Sequence, residues 1–346
     1  MNRILIVKIS SLGDIIHAFP AVALLKKECP DSEIDWLVNP AFAGALKYCA
    51  GIRQIIPFPR KELSHIGSFF PAFFGTIGEL RNKKYDIVID FQGLMRSAFF
   101  AWSTGAGRIA GFKCPKEKPA KFLYSENFEI EPEFVHAIEK NTRLVSKLLG
   151  TEFSIMLEDL PVIDDSREKA LGILGSAGFA PGKPFAAIAP GARWESKKWP
   201  TSFFAEVVKK VLASDKNAKF AVLGTESDSG DASAIMEAVP GNSIANLCGK
   251  TGMGELFEIL RLSRCLLSND SGPVHIAAAL KTPVIALFGP TIPAKTGPYG
   301  QIHRVFQPDL DCIGCLSRYC TKHTQECHSG IDSGAVADAM LGLMKH

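Results

Sequence analysis

The sequence predicts an α/β protein built from two Rossmann-like domains, each a doubly wound parallel sheet. Apolar strand segments alternate with helical segments, and the alternation begins again after residue 184. Predicted strands end in turns rich in Gly, Ser, Thr or Asp, as at the ligand-binding edge of such sheets. A chain of 346 residues is long enough for two domains of ordinary size. We place the boundary in a stretch rich in Asp and Pro, which gives domains of 1–165 and 166–346.

The first twenty residues set the pattern of the N-terminal domain. Residues 4–9 form an aliphatic run that is typical of a central strand buried on both faces. Small polar residues at 10–14 suit a tight turn, and Pro20 fits the first turn of a helix over 21–28. Asp14 in that turn has two interpretations. It caps the helix, the commoner role of a loop aspartate, or it presents a catalytic carboxylate at the carboxyl edge of the sheet.

Further strands of the N-terminal domain are predicted at residues 33–38, 54–57, 85–90 and 108–112. The turn after residues 85–90 could present Asp90 and Gln92 at the same edge as Asp14. His136 lies at the start of a later helix, beside polar residues. A single helical histidine is more often structural than catalytic.

Residues 58–85 interrupt the alternation. Arg60 and Lys61 precede four phenylalanines within six residues (69, 70, 73 and 74), and a charged helix is predicted over 77–84. Such an aromatic cluster belongs to the core in most proteins. The alternative is a partly exposed apolar lip that touches a lipid-like acceptor, with the basic residues facing its phosphates or carboxylates.

The C-terminal half repeats the strand–helix pattern. Its strands are predicted at 185–189, 220–223, 243–246, 265–268 and 282–288, and helices at 202–213, 253–263 and 276–280. Two Rossmann-like halves of comparable size that face a central cleft would form the GT-B architecture. The most informative turn is 269–275, where a glycine precedes a helix whose N-terminus offers unpaired N–H groups to a diphosphate. Lys197, in a neighbouring loop, would add a positive charge.

Composition and motifs exclude several classes of protein. A net charge of +3 is too small to imply nucleic acid, but it allows a local basic face for a membrane-surface partner. The N-terminus lacks the features of a signal peptide, and no run of about 18 apolar residues could span a bilayer. We therefore expect a cytoplasmic protein. The turns match neither a P-loop nor a GxGxxG, and hydrolase and kinase motifs are missing.

Four of the nine cysteines lie close together near the C-terminus, at Cys312, Cys315, Cys320 and Cys327. With His323 and His328 nearby, this spacing suits a tetrahedral structural site for zinc or iron. Reduced, metal-free thiols are the alternative. The other five cysteines are scattered, most of them in apolar contexts, and we interpret them as reduced core residues.

Four segments together resemble glycosyltransferase family 9, the ADP-heptose:lipopolysaccharide heptosyltransferases. They are residues 4–20, 90–97, 190–200, and 269–275 followed by 288–291. Within that family, Asp90-Phe-Gln-Gly-Leu and His136-Ala-Ile-Glu-Lys-Asn look most like heptosyltransferase I, which adds the first heptose to Kdo. The cysteine cluster also occurs in members of the wider family.

The resemblance implies a GT-B fold and an inverting mechanism that needs no catalytic cofactor or metal. Asp14 would be the general base for the acceptor hydroxyl, and Lys197 would neutralise the departing ADP diphosphate. The donor ADP-heptose would be held by the C-terminal domain, at Ala192, Arg193, Glu226, Asp228, Thr251, Asp270, Ser271, Gly272 and His275. The acceptor would meet the N-terminal domain at Ser11, Gly13, Arg60, Lys61, Gln92 and His136.

Some of these assignments stay open. Asp228, or else Glu226, would take the ribose hydroxyls, and Thr251 would lie near the adenine or ribose. Ala192-Arg193 stands where family members often carry Thr-Thr, so the side chains or only the backbone there would contact phosphate.

The expected acceptor is a Kdo-containing lipid A precursor, with the enzyme peripheral at the inner face of the inner membrane. A later core sugar or a protein serine is an alternative acceptor, and a non-catalytic nucleotide-sugar-binding module is a third hypothesis.

Overall fold

The computed structural model describes residues 1–64, 66–131, 135–320, 322 and 324–345. The chain divides into two compact units, Met1–Pro161 and Val162–His346. The boundary predicted from the sequence lies close by, after residue 165. His323, named above beside the cysteine cluster, lies outside the described residues.

The first unit is a six-stranded sheet in which every strand pairs in parallel with its neighbours. The strands are β1 (Arg3–Val7), β2 (Glu33–Val38), β3 (Ile52–Pro57), β4 (Ile87–Asp90), β5 (Arg108–Phe112) and β6 (Glu126–Phe128). The helices are α1 (Leu12–Ile16), α2 (Phe19–Glu28), α3 (Ile66–Asn82), α4 (Met95–Ser103) and α5 (Ala137–Leu149). The spatial order β3-β2-β1-β4-β5-β6 is that of a classical dinucleotide-type fold.

The second unit is also a six-stranded parallel sheet. Its strands are β7 (Ala186–Ala189), β8 (Phe220–Val222), β9 (Ile244–Asn246), β10 (Cys265–Asn269), β11 (Val284–Leu287) and β12 (Arg304–Phe306). Its helices are α6 (Asp164–Ser176), α7 (Thr201–Ser214), α8 (Ser229–Ala238), α9 (Met253–Leu262), α10 (Gly272–Ala279), α11 (Pro293–Thr296), α12 (Glu326–Ser329) and α13 (Ser333–Met344). The order β12-β11-β10-β7-β8-β9 is the same topology as in the first unit.

The sequence pattern explains why the central strands are buried on both faces. Residues 4–7 of β1 are 0% exposed, as the continuous aliphatic run predicts. In each unit the strand order reverses direction beside the first strand, between β1 and β4 and between β7 and β10. Ligands of open parallel sheets bind at the carboxyl ends of the strands at such a switch point. The predicted α/β class with two doubly wound sheets is therefore confirmed.

The segment with four phenylalanines differs from the prediction. It is part of α3, which runs over Ile66–Asn82 with Pro71 inside it, whereas the sequence predicted a helix only from residue 77. A proline in a helix interior removes a hydrogen bond, and tertiary packing outweighs that cost here. Phe73 stacks on Phe99 of α4 at 5.6 Å between ring centroids and meets Phe100 at 5.8 Å.

Of the five scattered cysteines, Cys49, Cys248 and Cys265 are buried as predicted, whereas Cys29 is half-buried and Cys114 is exposed, so the core interpretation is wrong for Cys114. Burial raises the pKa of Cys248 to about 11 and that of Cys265 to about 12, and it also raises the pKa of Cys49. These thiols are therefore protonated and unreactive at neutral pH. In the part of the chain that the structure describes, no helix is long and apolar enough to cross a membrane.

Candidate active site

Asp14 lies at the switch point of the first sheet, in the short helix α1 that follows β1. Its Oδ2 accepts hydrogen bonds from the Ser11 N–H (2.9 Å) and the Ser11 hydroxyl (2.8 Å). Asp14 therefore does cap its own helix, which was one of the two interpretations from the sequence. Its side chain is still 42% exposed, so the cap leaves the carboxylate accessible to a substrate.

Lys8 keeps Asp14 ionised. The ammonium lies 3.6 Å from Asp14 Oδ1 and donates to the Phe91 carbonyl oxygen (2.9 Å), and the lysine is only 6% exposed. Burial raises the pKa of Asp14, but Lys8, the two Ser11 groups and His17 lower it by more, to about 2. The carboxylate is thus negatively charged throughout the physiological pH range.

Gln92 supports the loop that leads into Asp14. Its Oε1 accepts from the N–H groups of Ile9 (3.0 Å) and Ser10 (3.1 Å), which tie the turn after β4 to the turn after β1. The Gln92 backbone N–H in turn donates to the buried carboxyl group of Asp90 (2.8 Å). The structure therefore brings Gln92 beside Asp14, through the loop backbone.

Asp90 itself is fully buried and organises this turn. Its carboxyl oxygens accept from the hydroxyls of Ser97 (2.8 Å) and Tyr124 (2.7 Å). Burial raises the pKa of Asp90, and these bonds oppose the shift. A group with no exposed surface supports the site and does not contact a substrate itself.

The other predicted acceptor residues lie at the same edge or just behind it. Gly13 is buried within α1, while Arg60 and Lys61 are exposed in the turn after β3. His136 is the N-cap of α5, where its Nδ1 accepts from the Ile138 N–H (3.2 Å). Its ring contacts that of His17 at 5.1 Å, so this histidine packs in the layer behind α1 and is only 8% exposed.

The second switch point carries the Lys197–Asp270 ion pair. Lys197 Nζ lies 2.5 Å from Asp270 Oδ2, and the Thr291 hydroxyl donates to the same oxygen (2.7 Å). The lysine follows β7 and the aspartate follows β10, the two strands that flank the switch point. Lys197 is thus held with its charge at the edge of the sheet where a phosphate would bind.

The turn after β10 opens a helix as the sequence predicted, but α10 begins at Gly272, four residues before the predicted start at residue 276. Ser271 is the N-cap, Gly272 is the first helical residue, and His275 is buried in the first turn. The Ser271 hydroxyl lies 3.1 Å from that of Ser268. Asn269 links the end of β10 to both ends of the loop between β7 and α7, because its side chain donates to the Pro190 carbonyl oxygen and accepts from the Trp199 N–H.

The two candidate ribose carboxylates have different surroundings. Asp228 accepts from the N–H and hydroxyl of Thr225 and lies against Gly191, where an added Cβ would come within 2.5 Å of its Oδ1. Glu226 is exposed and lies over Gly249, two residues before Thr251. The geometry therefore favours Glu226 as the carboxylate beside Thr251.

Two further features complete this edge of the second unit. Ala192 and Arg193 follow β7, and the arginine side chain is exposed. A cavity of about 650 Å³ lies beside Thr251, between α6 and the turn before α9. It is lined by Lys169, Gly172, Ile173, Ser176, Ala177, Leu247, Lys250, Gly252 and Glu255.

The predicted metal site has no support in the structure. Cys315 is exposed and Cys312, Cys320 and Cys327 are half-buried, all as free thiols. The other three cysteines are close enough to raise the pKa of Cys327, together with burial. Nevertheless, among the described residues no group of three or more His, Cys, Asp or Glu side chains could hold a metal ion. The four cysteines are therefore neighbours without converging as ligands.

Sequence reasoning missed two of the residues that shape these sites. Lys8 was counted within a buried strand, although a lysine in an otherwise aliphatic run is itself a signal of a paired internal charge. Thr291 was quoted in a motif without a role. Its contact with Asp270 spans 21 residues of sequence and depends on the order of strands β10 and β11.

Comparison with known proteins identifies the family. Residues 75–325 match the model of glycosyltransferase family 9 (heptosyltransferase), which is more than half of the chain. The protein belongs to glycosyltransferase family 9. It is accordingly a glycosyltransferase that uses a heptose donor, and the resemblance inferred from its motifs is confirmed.

Curated relatives agree over almost the whole chain. Lipopolysaccharide heptosyltransferase 1 of Pseudomonas aeruginosa is 28% identical over 335 residues, covering 94% of this chain and 89% of the relative. Lipopolysaccharide heptosyltransferase 1 of Escherichia coli K12 is 26% identical over 304 residues, covering 86% of this chain and 91% of the relative.

Solved structures show the same fold. The glycosyl transferase family 9 protein of Veillonella parvula matches with a TM-score of 0.84 and 21% identity, covering 99% of this chain and 97% of that one. Escherichia coli heptosyltransferase WaaC with ADP matches with a TM-score of 0.74 and 26% identity, covering 88% and 92%. These matches confirm the predicted GT-B fold class with two Rossmann-like domains.

Proposed function

We propose that this family 9 enzyme transfers heptose from ADP-L-glycero-D-manno-heptose to the Kdo of a lipopolysaccharide inner-core precursor, with inversion at the anomeric carbon. Relatives named lipopolysaccharide heptosyltransferase 1 support the acceptor class, and the solved WaaC structures with ADP and with ADP-2-deoxy-2-fluoro heptose support the donor. The observation that carries the proposal is the ionised, accessible carboxylate of Asp14 at a sheet switch point in a member of this family.

Asp14 acts as the general base in this proposal. The acceptor hydroxyl oxygen bonds to C1 of the heptose while the bond from C1 to the β-phosphate oxygen of ADP breaks, and Asp14 takes the hydroxyl proton. A carboxylate with a pKa of about 2 is a weak base. It suffices because the attacking oxygen becomes strongly acidic as its bond to C1 forms, so the proton leaves late in the step.

Lys197 stabilises the leaving group. The electron pair of the breaking bond moves onto the diphosphate, and a fixed ammonium at that point lowers the energy of the developing charge. The N-terminal turn of α10, with Ser271 and Gly272, adds backbone N–H donors on the same edge of the second sheet. Glu226 and Thr251 are the residues that we assign to the ribose and adenine, beside the 650 Å³ cavity.

We further propose that the enzyme works at the cytoplasmic membrane surface, where a lipid-linked acceptor is found. A surface of five aromatic side chains supports this: Phe70, Phe73 and Phe74 of α3 and Phe99 and Trp102 of α4, which we call the aromatic surface. Neighbouring rings within it lie 5.4 to 6.4 Å apart. Phe70 and Phe74 are each 63% exposed and Trp102 is 52% exposed.

The charges around the aromatic surface fit an anionic membrane. Residues 66–78 contain no charged side chain, while Arg60, Lys61 and Glu62 precede them and Glu79, Arg81, Lys83 and Lys84 follow, so that cations outnumber carboxylates on both flanks. Exposed aromatic side chains flanked by cations are typical of segments that lie in the membrane interface. Phe73 packs inward on Phe99 and Phe100, whereas Phe70 and Phe74 are exposed, and contact of these side chains with a lipid-like acceptor is part of the proposal. The side chain of Phe69 lies outside the described part of the structure.

The test is a transfer assay with ADP release as the readout. Purified enzyme is given ADP-heptose with Kdo2-lipid A or with an acceptor that already carries heptose, and we expect turnover with the first only. Asp14→Ala should abolish transfer while ADP binding is retained. Turnover with the heptosylated acceptor alone would overturn the Kdo assignment, and substantial turnover by Asp14→Ala would remove Asp14 from the base role.

A further inference from the structure

We propose that the four-cysteine segment, residues 312–328, is the support that positions Lys197 for the donor diphosphate. This inference rests on the proposed function, because it assigns the segment to the same phosphate site. It gives the segment a purpose that does not depend on a metal ion. Three sets of contacts join the segment to the loop that carries Lys197 and to the loop that carries Thr291.

The first set holds Ser196, the residue immediately before Lys197. Its hydroxyl donates to the Ser317 carbonyl oxygen (2.6 Å), and its N–H donates to the Arg318 carbonyl oxygen (3.4 Å). Its own carbonyl oxygen accepts from Nε2 of His328 (2.8 Å). Ser196 is 3% exposed, so all three of its polar groups are bonded to the cysteine segment away from water.

The second set holds the other side of Lys197. The indole N–H of Trp199 donates to the His328 carbonyl oxygen (2.9 Å), and this tryptophan is anchored in the core of the second unit. The guanidinium of Arg318 lies 5.7 Å from the Trp194 ring centroid, and Lys197 Nζ lies 4.9 Å from the same centroid. The segment therefore fixes the loop one residue before Lys197 and two residues after it.

The third set reaches the loop after β11, which carries Thr291. The Leu316 N–H donates to the Pro290 carbonyl oxygen (2.9 Å), next to Thr291, whose hydroxyl holds Asp270. His328 also packs so closely on Gly289 that an added Cβ there would lie 2.4 Å from Nε2. The segment thus contacts the loop of Lys197 and the loop of Thr291, the residue that holds Asp270.

His328 is the centre of this support. It is 0% exposed, and within the described residues its Nδ1 has no hydrogen-bond partner. Since the Ser196 carbonyl oxygen can only accept, the bond requires the proton on Nε2. A lysine side chain has many conformations, and most of them are lost when the ammonium binds a phosphate. A loop that fixes the backbone of the lysine reduces the number of conformations that are available before binding, so fewer are lost.

The experiment measures whether the segment acts through Lys197. Ser196→Ala removes the bond to Ser317, and His328→Leu removes the bond to the Ser196 carbonyl oxygen. Each variant is compared with Ser263→Ala, which also loses a buried serine hydroxyl bonded to a carbonyl oxygen (2.8 Å), before β10 at the opposite edge of the sheet. The readouts are amide hydrogen exchange of residues 194–199 without ligand, ADP binding by calorimetry, and the KM for donor and acceptor.

We expect Ser196→Ala and His328→Leu to speed exchange at residues 194–199 and to weaken ADP binding by about threefold to tenfold, as loss of one hydrogen bond implies. The donor KM should rise in parallel, while the acceptor KM stays unchanged, and Ser263→Ala should alter none of these. In the Lys197→Ala background, Ser196→Ala should have no further effect on ADP binding. The dependence of the Ser196→Ala effect on the presence of Lys197, and not the loss of ADP affinity alone, shows that the segment acts through Lys197.

Unchanged hydrogen exchange at residues 194–199 in both variants would contradict the proposal that the cysteine segment holds the loop of Lys197. So would an equal loss of ADP affinity with and without Lys197, since the segment would then act independently of that residue. Failure of the wild-type enzyme to bind ADP would contradict the proposed donor instead. The exchange measurement needs no ligand, so it still decides whether the segment holds the loop.

Discussion

Two buried or half-buried lysines determine the electrostatics of the candidate sites, in opposite ways. Lys8 is buried behind Asp14 and acts on it as a counter-ion, whereas Lys197 reaches the sheet edge and is itself held by a carboxylate, Asp270. A counter-ion that is inaccessible to the substrate can still shift the pKa of a neighbouring base. An ammonium held by a buried carboxylate keeps its position until a phosphate competes for it.

The role of Lys8 can be tested through the pH dependence of activity. Lys8→Gln keeps a donor for the Phe91 carbonyl oxygen but removes the positive charge. Burial still raises the pKa of Asp14 while the main opposing charge is gone, so the pKa rises from about 2. A higher pKa means that Asp14 is protonated at a higher pH, and the acid limb of kcat/KM should move up into the range that can be measured.

Wild-type enzyme should show no acid limb from Asp14 between pH 4 and 9, apart from limbs caused by the substrates. Lys83→Gln is the matched control, because Lys83 lies before β4 at the opposite edge of the first sheet. Superimposable pH profiles of kcat/KM for Lys8→Gln and wild type would show that Lys8 does not lower the pKa of Asp14.

At the scale of the elements, the sequence predicted well where strands end and poorly how the segments after them pack. The strands β2 and β5 were predicted to the residue, and in both of them every residue after the first is buried. β6, α8 and β12 were not predicted. The two strands are only three residues long and partly exposed at the sheet edges, so their composition carries little pattern.

The candidate sites show the same division. That Asp14, Lys197 and Asp270 stand at sheet edges followed from strand–turn–helix patterns in the sequence. The partners of these residues did not. Thr291 reaches Asp270, and His328 reaches Ser196 beside Lys197, across long sequence separations that strand order and loop packing bring together. Lys8 is close to Asp14 in sequence, but the direction of its side chain depends on how β1 packs in the sheet. The four cysteines had an obvious spacing, but convergence on a metal depends on side-chain directions that spacing does not determine.

The aromatic surface gives a prediction for α3. Replacing both exposed phenylalanines, Phe70→Ser with Phe74→Ser, removes apolar area that is free to enter a membrane interface. We expect binding to anionic phospholipid vesicles to weaken at least about tenfold, since burying one such side chain contributes about 1.5–3 kcal/mol. Transfer to a vesicle-bound acceptor should fall, while transfer to a deacylated, water-soluble acceptor stays unchanged.

Phe153→Ser is the control for α3, because Phe153 is also exposed but packs under Arg143 in another part of the first unit. Equal vesicle binding by the double variant and the control would remove the aromatic surface from membrane contact. A fall in transfer to the soluble acceptor would instead place these side chains in acceptor binding.

At the scale of the whole molecule, the chain uses one topology twice and gives each copy a different chemistry. Both sheets have the strand order of the classical Rossmann fold, and both candidate sites lie at the switch point. The first copy carries a carboxylate that can accept a proton, and the second carries an ammonium and a helix N-terminus that suit a diphosphate. Neither set alone supplies both the base and the leaving-group stabilisation that the proposed inverting transfer requires.

This separation predicts which unit responds to ADP. The second unit holds Lys197, Glu226, Thr251 and the N-terminus of α10, so ADP alone should protect its amides and leave those of residues 8–17 unchanged. At a concentration of about 100 times its dissociation constant, a ligand that binds only the folded state stabilises that state by about 2.7 kcal/mol. The equilibrium constant for opening of the bound structure then falls roughly 100-fold. Hydrogen exchange of the intact enzyme should therefore slow by up to that factor in segments 190–199, 249–252 and 270–276. Lys197→Ala, measured at the same ADP concentration, should lose most of the protection. Strong protection of residues 8–17 by ADP alone would contradict the assignment of the nucleotide to the second unit.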